Sequence, residues 1–291
     1  MQKELVFKIS EEQDGLAVKA VLSKDIHLSR REISRLKFSG GLLLNGETCK
    51  VTAPVHAGDE LKLIFMDQDT AHAVRITGKP DILYEDEDLV IVNKPAGMPC
   101  HPSHEHLDDD MGTLLQNYYN NGFTIRAVGR LDKDVSGVMV YAKNKPAAAR
   151  LSKGREEGTL HKVYLAVVEG RVTQPYGTLQ YSLAKAEGRK DRIASEDGQY
   201  CITDFETLQE GMIFSLLSVS IRTGRTHQIR AGMKEFGHPL MGDTLYGGNH
   251  DLIARPALHC STISLIQPFT GEPISVKAPL PDDMKNLLRM R

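Results

Sequence analysis

The chain has no long apolar run, no C-x-x-C pair, no internal repeat and no surplus of either charge, and each absence removes a class of protein. No stretch approaches the ~20 apolar residues that span a bilayer, and the opening MQKELVFKISEEQDG holds no sustained apolar core. Neither membrane insertion nor a signal peptide is expected. Cys49, Cys100, Cys201 and Cys260 stand singly, which argues against a disulfide framework and a cysteine zinc cage and makes the cytoplasm the default compartment. Lys and Arg number 36 against 38 Asp and Glu, a formal net charge of −2, so the surface is no basic coat and nucleic-acid contact would need local patches. What remains is an ordinary globular composition, 41% hydrophobic and 25% charged, over 291 residues, a length that suggests about two domains.

The apolar periodicity breaks over residues 67–80, where Gly78-Lys79-Pro80 follows a polar stretch; a linker is expected there, between domains at 1–66 and 81–291. In the first, Leu16, Val18, Ala20, Val21 and Leu22 suggest a short helix, and Ser29-Arg30-Arg31-Glu32 a capped second helix ended by Gly40-Gly41. Residues 42–46 then predict a strand entering an Asn-Gly turn, and Gly58-Asp59 precedes a last strand at 61–65. The pattern is helix, helix, hairpin. Beyond the linker, residues 82–92 read as a hairpin, and 138–142, 162–168 and 214–221 as strands separated by helical runs at 144–153 and 226–236. No βαβ rhythm repeats, so the fold class expected is α+β.

Four constellations hold chemistry-bearing residues. Arg130-Leu131-Asp132-Lys133-Asp134 lies between apolar runs; a carboxylate beside an arginine there can be held ionised, although composition alone favours a solvated turn. Arg222-Thr223-Gly224-Arg225-Thr226-His227-Gln228-Ile229-Arg230 follows a strand and opens a helix, a setting where three arginines and free amides favour an anion. His101, His104, His106, Asp108 and Asp109 approach the H-x-H-x-D-H spacing of metal-dependent hydrolases. The last histidine of that spacing is replaced by Asp109 and no later ligand set matches, so a histidine-rich polar loop is the better reading and no metal is expected. Finally, Arg30, Arg31, Arg35 and Lys37 fall within ten residues, although 1–77 hold 11 basic and 11 acidic residues. That helix is equally a phosphate-binding ridge and a solvated face.

Taken in order, these segments resemble the RluA family of RNA pseudouridine synthases across residues 82–280. Asn93-Lys94-Pro95-Ala96-Gly97 with His101-Pro102 is similar to the family's N-K-P-x-G…H-P, and Gly129-Arg130-Leu131-Asp132 through Ser136-Gly137 to H-R-L-D-x-x-T-S-G. Lys162-Val163-Tyr164-Leu165-Ala166 resembles K-x-Y-x-A, Arg222 to Arg230 matches R-T-G-R-T-H-Q-I-R, and Gly237-His238-Pro239-Leu240-Met241-Gly242-Asp243 with Tyr246-Gly247 completes the series. The segment before the linker is similar to the RNA-binding domain shared with ribosomal protein S-four, as in RluD-like members. Two positions depart from the pattern: Gly129 stands where many members have His, and Val135 where they have Thr. G-R-L-D also occurs in the related RsuA branch, but the 222–230 segment favours RluA.

The resemblance implies a small RNA-binding domain followed by a mixed, largely antiparallel-sheet catalytic domain that isomerises uridine in structured RNA, ribosomal RNA ahead of transfer RNA. It needs no cofactor, membrane or obligate protein partner. Asp132 would be the essential carboxylate, attacking the sugar or stabilising a ribosyl intermediate. Tyr164 would stack near the target and assist loss of the C5 proton, and Arg230 would pair with Asp132. Arg130 would brace the space left by the flipped base. Arg225 and His227 would bind substrate, and Arg30, Arg31, Arg35 and Lys37 would contact RNA phosphates; Leu131 and Ile229 read as packing. A non-catalytic RNA adaptor would use the same basic patches without needing Asp132, and a metal hydrolase would need the 101–109 run.

Overall fold

A computed structural model describes residues 2–66, 76–102, 109–186, 188 and 191–290 of the chain. The first part comprises β1 (Gln2–Lys8), α1 (Val18–Lys24), α2 (Arg30–Ser39), β2 (Leu42–Leu44), β3 (Glu47–Thr48) and β4 (Glu60–Met66). Local chemistry sets α2: the Ser29 hydroxyl accepts from the Glu32 N–H at 3.3 Å while the Glu32 carboxylate accepts from the Ser29 N–H at 2.8 Å, and Gly40 closes the helix in the left-handed region. The sheet runs β1-β4-β2-β3, with Leu22, Leu36, Leu42, Leu61 and Leu63 in its own core. The expected helix-helix-hairpin therefore gains a strand. β1 pairs antiparallel along the whole of β4; Glu4, Val6 and Lys8 are exposed between the more buried Leu5, Phe7 and Ile9, and the apolar Val6 on the exposed side blurs the period-two pattern.

The larger part begins with β5 (Ile82–Glu85), β6 (Leu89–Lys94), α3 (Met111–Tyr118), β7 (Arg126–Val128), β8 (Ser136–Ala142), α4 (Lys145–Glu156) and β9 (His161–Glu169). It continues through β10 (Tyr176–Lys185), β11 (Arg192–Ala194), β12 (Gln199–Gln209), β13 (Phe214–Ile221), α5 (Gln228–Glu235), β14 (Leu258–Ile266), β15 (Pro273–Lys277) and α6 (Asp282–Arg289). One sheet runs β11-β10-β12-β13-β9-β14-β8-β6-β5, with β15 on β14 and β7 on β8. Among the described residues its pairings are antiparallel except β8 with β14. All seven residues of β8 are buried, which is why that strand reads as a continuous apolar run rather than an alternation. Gly137 permits the β8–β14 approach: a Cβ there would lie 2.1 Å from the Cys260 carbonyl oxygen.

α4 spans the junction between the two sheets. Its Arg150 guanidinium lies 4.6 Å from the Phe269 ring and 5.9 Å from the Phe7 ring, and Phe269 packs on both cores. Lys153 Nζ lies 2.8 Å from His27 Nε2. Of the linker expected over 67–80, residues 67–75 lie outside the described residues; Ile76 packs on the larger core.

Candidate active site

Three segments converge on a cavity of about 640 Å³: the 129–135 loop ahead of β8, the junction from α4 to β9, and the 222–230 segment joining β13 to α5. The first loop carries Asp132 and is pinned from below by the end of β6. Lys94 is fully buried there, and its ammonium donates to the carbonyls of Pro95 (2.8 Å), Met98 (2.7 Å) and Lys133 (3.0 Å). Burial lowers its pKa to about 8, and the three carbonyls replace the water it has lost. The Cys100 thiol adds a second tie, accepting from the Leu131 N–H at 3.3 Å and donating to the Leu131 carbonyl at 3.2 Å. The backbone that presents Asp132 is thus fixed on both sides of it.

Arg230, in the first turn of α5, makes the central contact. Its Nε and Nη2 donate to the two oxygens of Asp243 at 2.7 and 2.8 Å, and Nη1 donates to Asp132 Oδ2 at 3.2 Å. The two carboxylates differ in access, since the Asp243 side chain is 1% exposed and that of Asp132 is 26% exposed. One anchors the guanidinium; the other remains open to the cavity. Burial works against the charge on Arg230, but Asp243 and then Asp132 outweigh it and hold the guanidinium pKa above its ordinary value.

His227 caps α5 with a left-handed backbone (φ 56°). Its Nδ1 lies 2.9 Å from the Tyr246 hydroxyl, which already accepts from the Arg192 N–H at 2.8 Å. All three groups are satisfied when Tyr246 donates to Nδ1, a tautomer assigned from the network that leaves Nε2–H facing Asp132 Oδ2 at 3.9 Å. Burial lowers the His227 pKa against the pull of Asp132, so the ring faces that carboxylate as a neutral donor. Tyr164, on β9, lines the cavity with only 5% exposure; burial pushes its phenol well above the ordinary range and keeps it protonated. A partly open carboxylate, a fixed cation, a neutral imidazole and a protonated phenol suit nucleophilic attack or stabilisation of positive charge, together with proton movement, at a polar ring.

The cavity thus gathers Asp132, Tyr164, Arg230, Arg130, Arg225 and His227 from the sequence expectation. Leu131 and Ile229 are buried and pack. The three-arginine anion site is corrected. Arg222 is turned onto Asp204, at 2.7 and 2.9 Å, and Arg230 is turned inward, while the Arg225 N–H is taken by Gln228 Oε1 at 3.0 Å. Only Arg225 of the three is exposed with no ion pair among the described residues. The helix α2 lies outside the cavity lining; Arg30 and Lys37 are exposed, and the side chains of Arg31 and Arg35 lie outside the described residues. Of the histidine run, His104, His106 and Asp108 lie outside the described residues, and among those described no group of three or more His, Cys, Asp and Glu could hold a metal. Sequence reasoning assigned no role to Asp243, Tyr246, Arg155 or Lys162. The i, i+2 spacing of Lys162 and Tyr164 on a strand was the available signal for the last.

Comparison with known proteins agrees with this geometry. The family model for RNA pseudouridylate synthase matches residues 88–235, and that for the N-terminal domain of the RluD ribosomal pseudouridine synthase matches 5–61. The uncharacterized RNA pseudouridine synthase YhcT of Bacillus subtilis (strain 168) is 35% identical over 287 residues, covering 97% of this chain and 95% of its own length. Ribosomal large subunit pseudouridine synthase D of Escherichia coli (strain K12) is 30% identical over 307 residues, covering 99% and 94%. The solved structure of human RNA Pseudouridylate Synthase Domain Containing 1 superposes with a TM-score of 0.58 at 25% identity, covering 69% of this chain and 83% of that one. With near-complete coverage by such relatives and a family match across the segments that build the cavity, the chain belongs to the RNA pseudouridylate synthases, enzymes that isomerise uridine to pseudouridine in RNA.

Proposed function

We propose that Asp132 carries the isomerisation and that the substrate is structured ribosomal RNA. The observation that carries the first part is the asymmetric clamp on Arg230, which places one open carboxylate in the cavity and backs it with a buried ion pair. Isomerisation must break the bond from ribose to base nitrogen, turn the base and join ribose to base carbon, and it needs neither redox chemistry nor a metal. Asp132 attacks the sugar or stabilises the ribosyl cation; Arg230 orients it. Tyr164 stacks against the base; because its phenol is held protonated, the proton lost from C5 passes to the Asp132 carboxylate or to water rather than to the tyrosine. The target uridine leaves its stack to enter, at a cost of about a few kcal/mol, and Arg130 and Arg225 at the exposed rim offset that cost by holding the displaced strand.

The ribosomal assignment rests on relatives such as the Escherichia coli synthase named for the large ribosomal subunit and on the RluD-type match at 5–61. Residues 1–66 serve as an RNA-binding unit, with Arg30, Arg31, Arg35 and Lys37 on phosphates, and the enzyme works in the cytoplasm. The test is a pseudouridine map of cellular RNA from a strain lacking the protein, complemented by the parent or by Asp132→Ala. A large-subunit ribosomal site should vanish, return with the parent and stay absent with the variant. Loss confined to transfer RNA would overturn the substrate, and restoration by Asp132→Ala would overturn the residue.

A further inference from the structure

At the Gly129 end of the cavity two cations share one small volume. An ideal Cβ on Gly129 would lie 3.4 Å from Arg155 Nη1 and 3.9 Å from Lys162 Nζ, so both charged heads border the same point. Arg155 stands in the last turn of α4, and Lys162 on β9 is two residues before Tyr164, hence on the same face of the strand. Glu156 also lines the cavity, yet among the described residues neither cation is within ion-pair distance of a carboxylate. By contrast, Arg222 and Arg230, which belong to the same lining, are both neutralised by aspartates. Two like charges brought together without a counter-charge repel unless an anion comes between them.

We propose that Arg155 and Lys162 form a seat for one RNA phosphodiester, that of the backbone flanking the target uridine. The guanidinium offers a fork to the two non-bridging oxygens and the ammonium adds a point charge. The strand register places this seat beside Tyr164, so a phosphate held there carries its nucleotide to the base-binding side of the cavity. Gly129 keeps the seat open. With φ +74° it adopts a backbone that side-chain-bearing residues avoid, and the histidine found at this position of the H-R-L-D pattern would project between the two cations.

This inference rests on the proposed RNA substrate and deepens it. The test measures tritium release from a large-subunit ribosomal RNA transcript labelled at uridine C5, as kcat/KM across a series of salt concentrations. Each phosphate contact contributes about 0.7 to 0.9 to the slope of log affinity on log salt, so Arg155→Ala with Lys162→Ala should flatten the slope by about 1.4 to 1.8. At physiological salt kcat/KM should fall by about tenfold or more, with the loss carried by KM. Arg155→Lys with Lys162→Arg should retain most of the slope. Arg155→Ala alone, at an exposed helix position, should flatten it by about half as much and guards against misfolding of the double variant. An unchanged slope in the alanine variants overturns the seat, as does an equal loss in the charge-conserving pair. If the unaltered enzyme releases no tritium from this RNA while cellular mapping finds its product elsewhere, the ribosomal reading fails and the seat in its ribosomal form fails with it.

Discussion

Two arginine-rich segments of this molecule look alike as strings and differ as structures. In α2 the basic residues sit on one short helix, and Arg30 and Lys37 extend into solvent. In the 222–230 segment the arginines separate: Arg222 onto Asp204, Arg230 into a buried clamp between Asp243 and Asp132, and Arg225 alone into solvent. The difference is set by the two aspartates that the fold brings to the second segment. Asp204 comes from β12 and Asp243 from the turn after α5, whereas α2 carries Glu32, whose carboxylate caps its own helix. An arginine that stays exposed, as Arg30 and Arg225 do, can act through its charge; one that meets a buried aspartate, as Arg230 meets Asp243, becomes a rigid positioning device.

The largest effect expected from breaking that contrast is at Arg230. Arg230→Met leaves Asp243 buried without its partner, at a cost of about 3 to 5 kcal/mol, and should also reduce turnover by about 10³-fold or more because Asp132 loses its orienting donor. Urea denaturation and tritium release measure the two losses. Arg230→Lys should recover little, since an ammonium cannot serve both carboxylates as the fork does. Tyr246→Phe, which takes the hydroxyl from His227 and from the Arg192 N–H, should cost about 1 to 2 kcal/mol and lower turnover by about tenfold as the imidazole loses its tautomer.

A pH effect of similar size should come from outside the cavity. His259 is fully buried on β14, its Nδ1 lies 2.9 Å from the Ser136 hydroxyl, and burial lowers its pKa from 6.5 to about 4. A base whose folded pKa is depressed stabilises the fold while neutral, so this contribution is complete above about pH 6.5 and lost as pH falls toward 4. Between pH 7 and pH 5 the loss is about 2 kcal/mol, and His259→Gln should remove that part of the pH dependence in denaturant titrations at the two values. The smallest effect belongs to the solvated helix: Arg30→Ala should flatten the salt dependence of RNA affinity by about 0.7 to 0.9 for the one phosphate it holds, without redirecting modification to another uridine. A changed target would show that α2 reads sequence and would dissolve the division between the two arginine segments.

Much of the scaffold was legible where a single physical signal dominated. Continuous burial marks β8, and the Ser29–Glu32 box and Gly40 mark α2; Asn144, accepting from the Ala147 N–H at 2.9 Å, marks the start of α4. Other elements were hidden because polar residues inside them are satisfied by distant partners. β14 buries His259 against Ser136, which is 123 residues away, and Asp110 caps α3 at the end of a stretch that reads as a polar loop. β10 and β12 expose Tyr176, Tyr200 and Leu208, which blurs their alternation. The same holds at the site. Asp132 and Arg230 stood out through ordered motifs, yet Asp243 was one aspartate in a Gly-Asp turn until the fold set it against a guanidinium 13 residues away.

The most direct test is single-turnover tritium release from C5-labelled RNA by Asp132→Asn at saturating enzyme, with RNA affinity followed in the same samples. Asparagine keeps the shape of the side chain and its place beside Arg230 but can neither attack the sugar nor carry negative charge. Release should fall by about 10³-fold or more, with affinity within about twofold of the parent, because the charges that hold RNA lie elsewhere. Release within about tenfold of the parental rate would contradict the role given to Asp132.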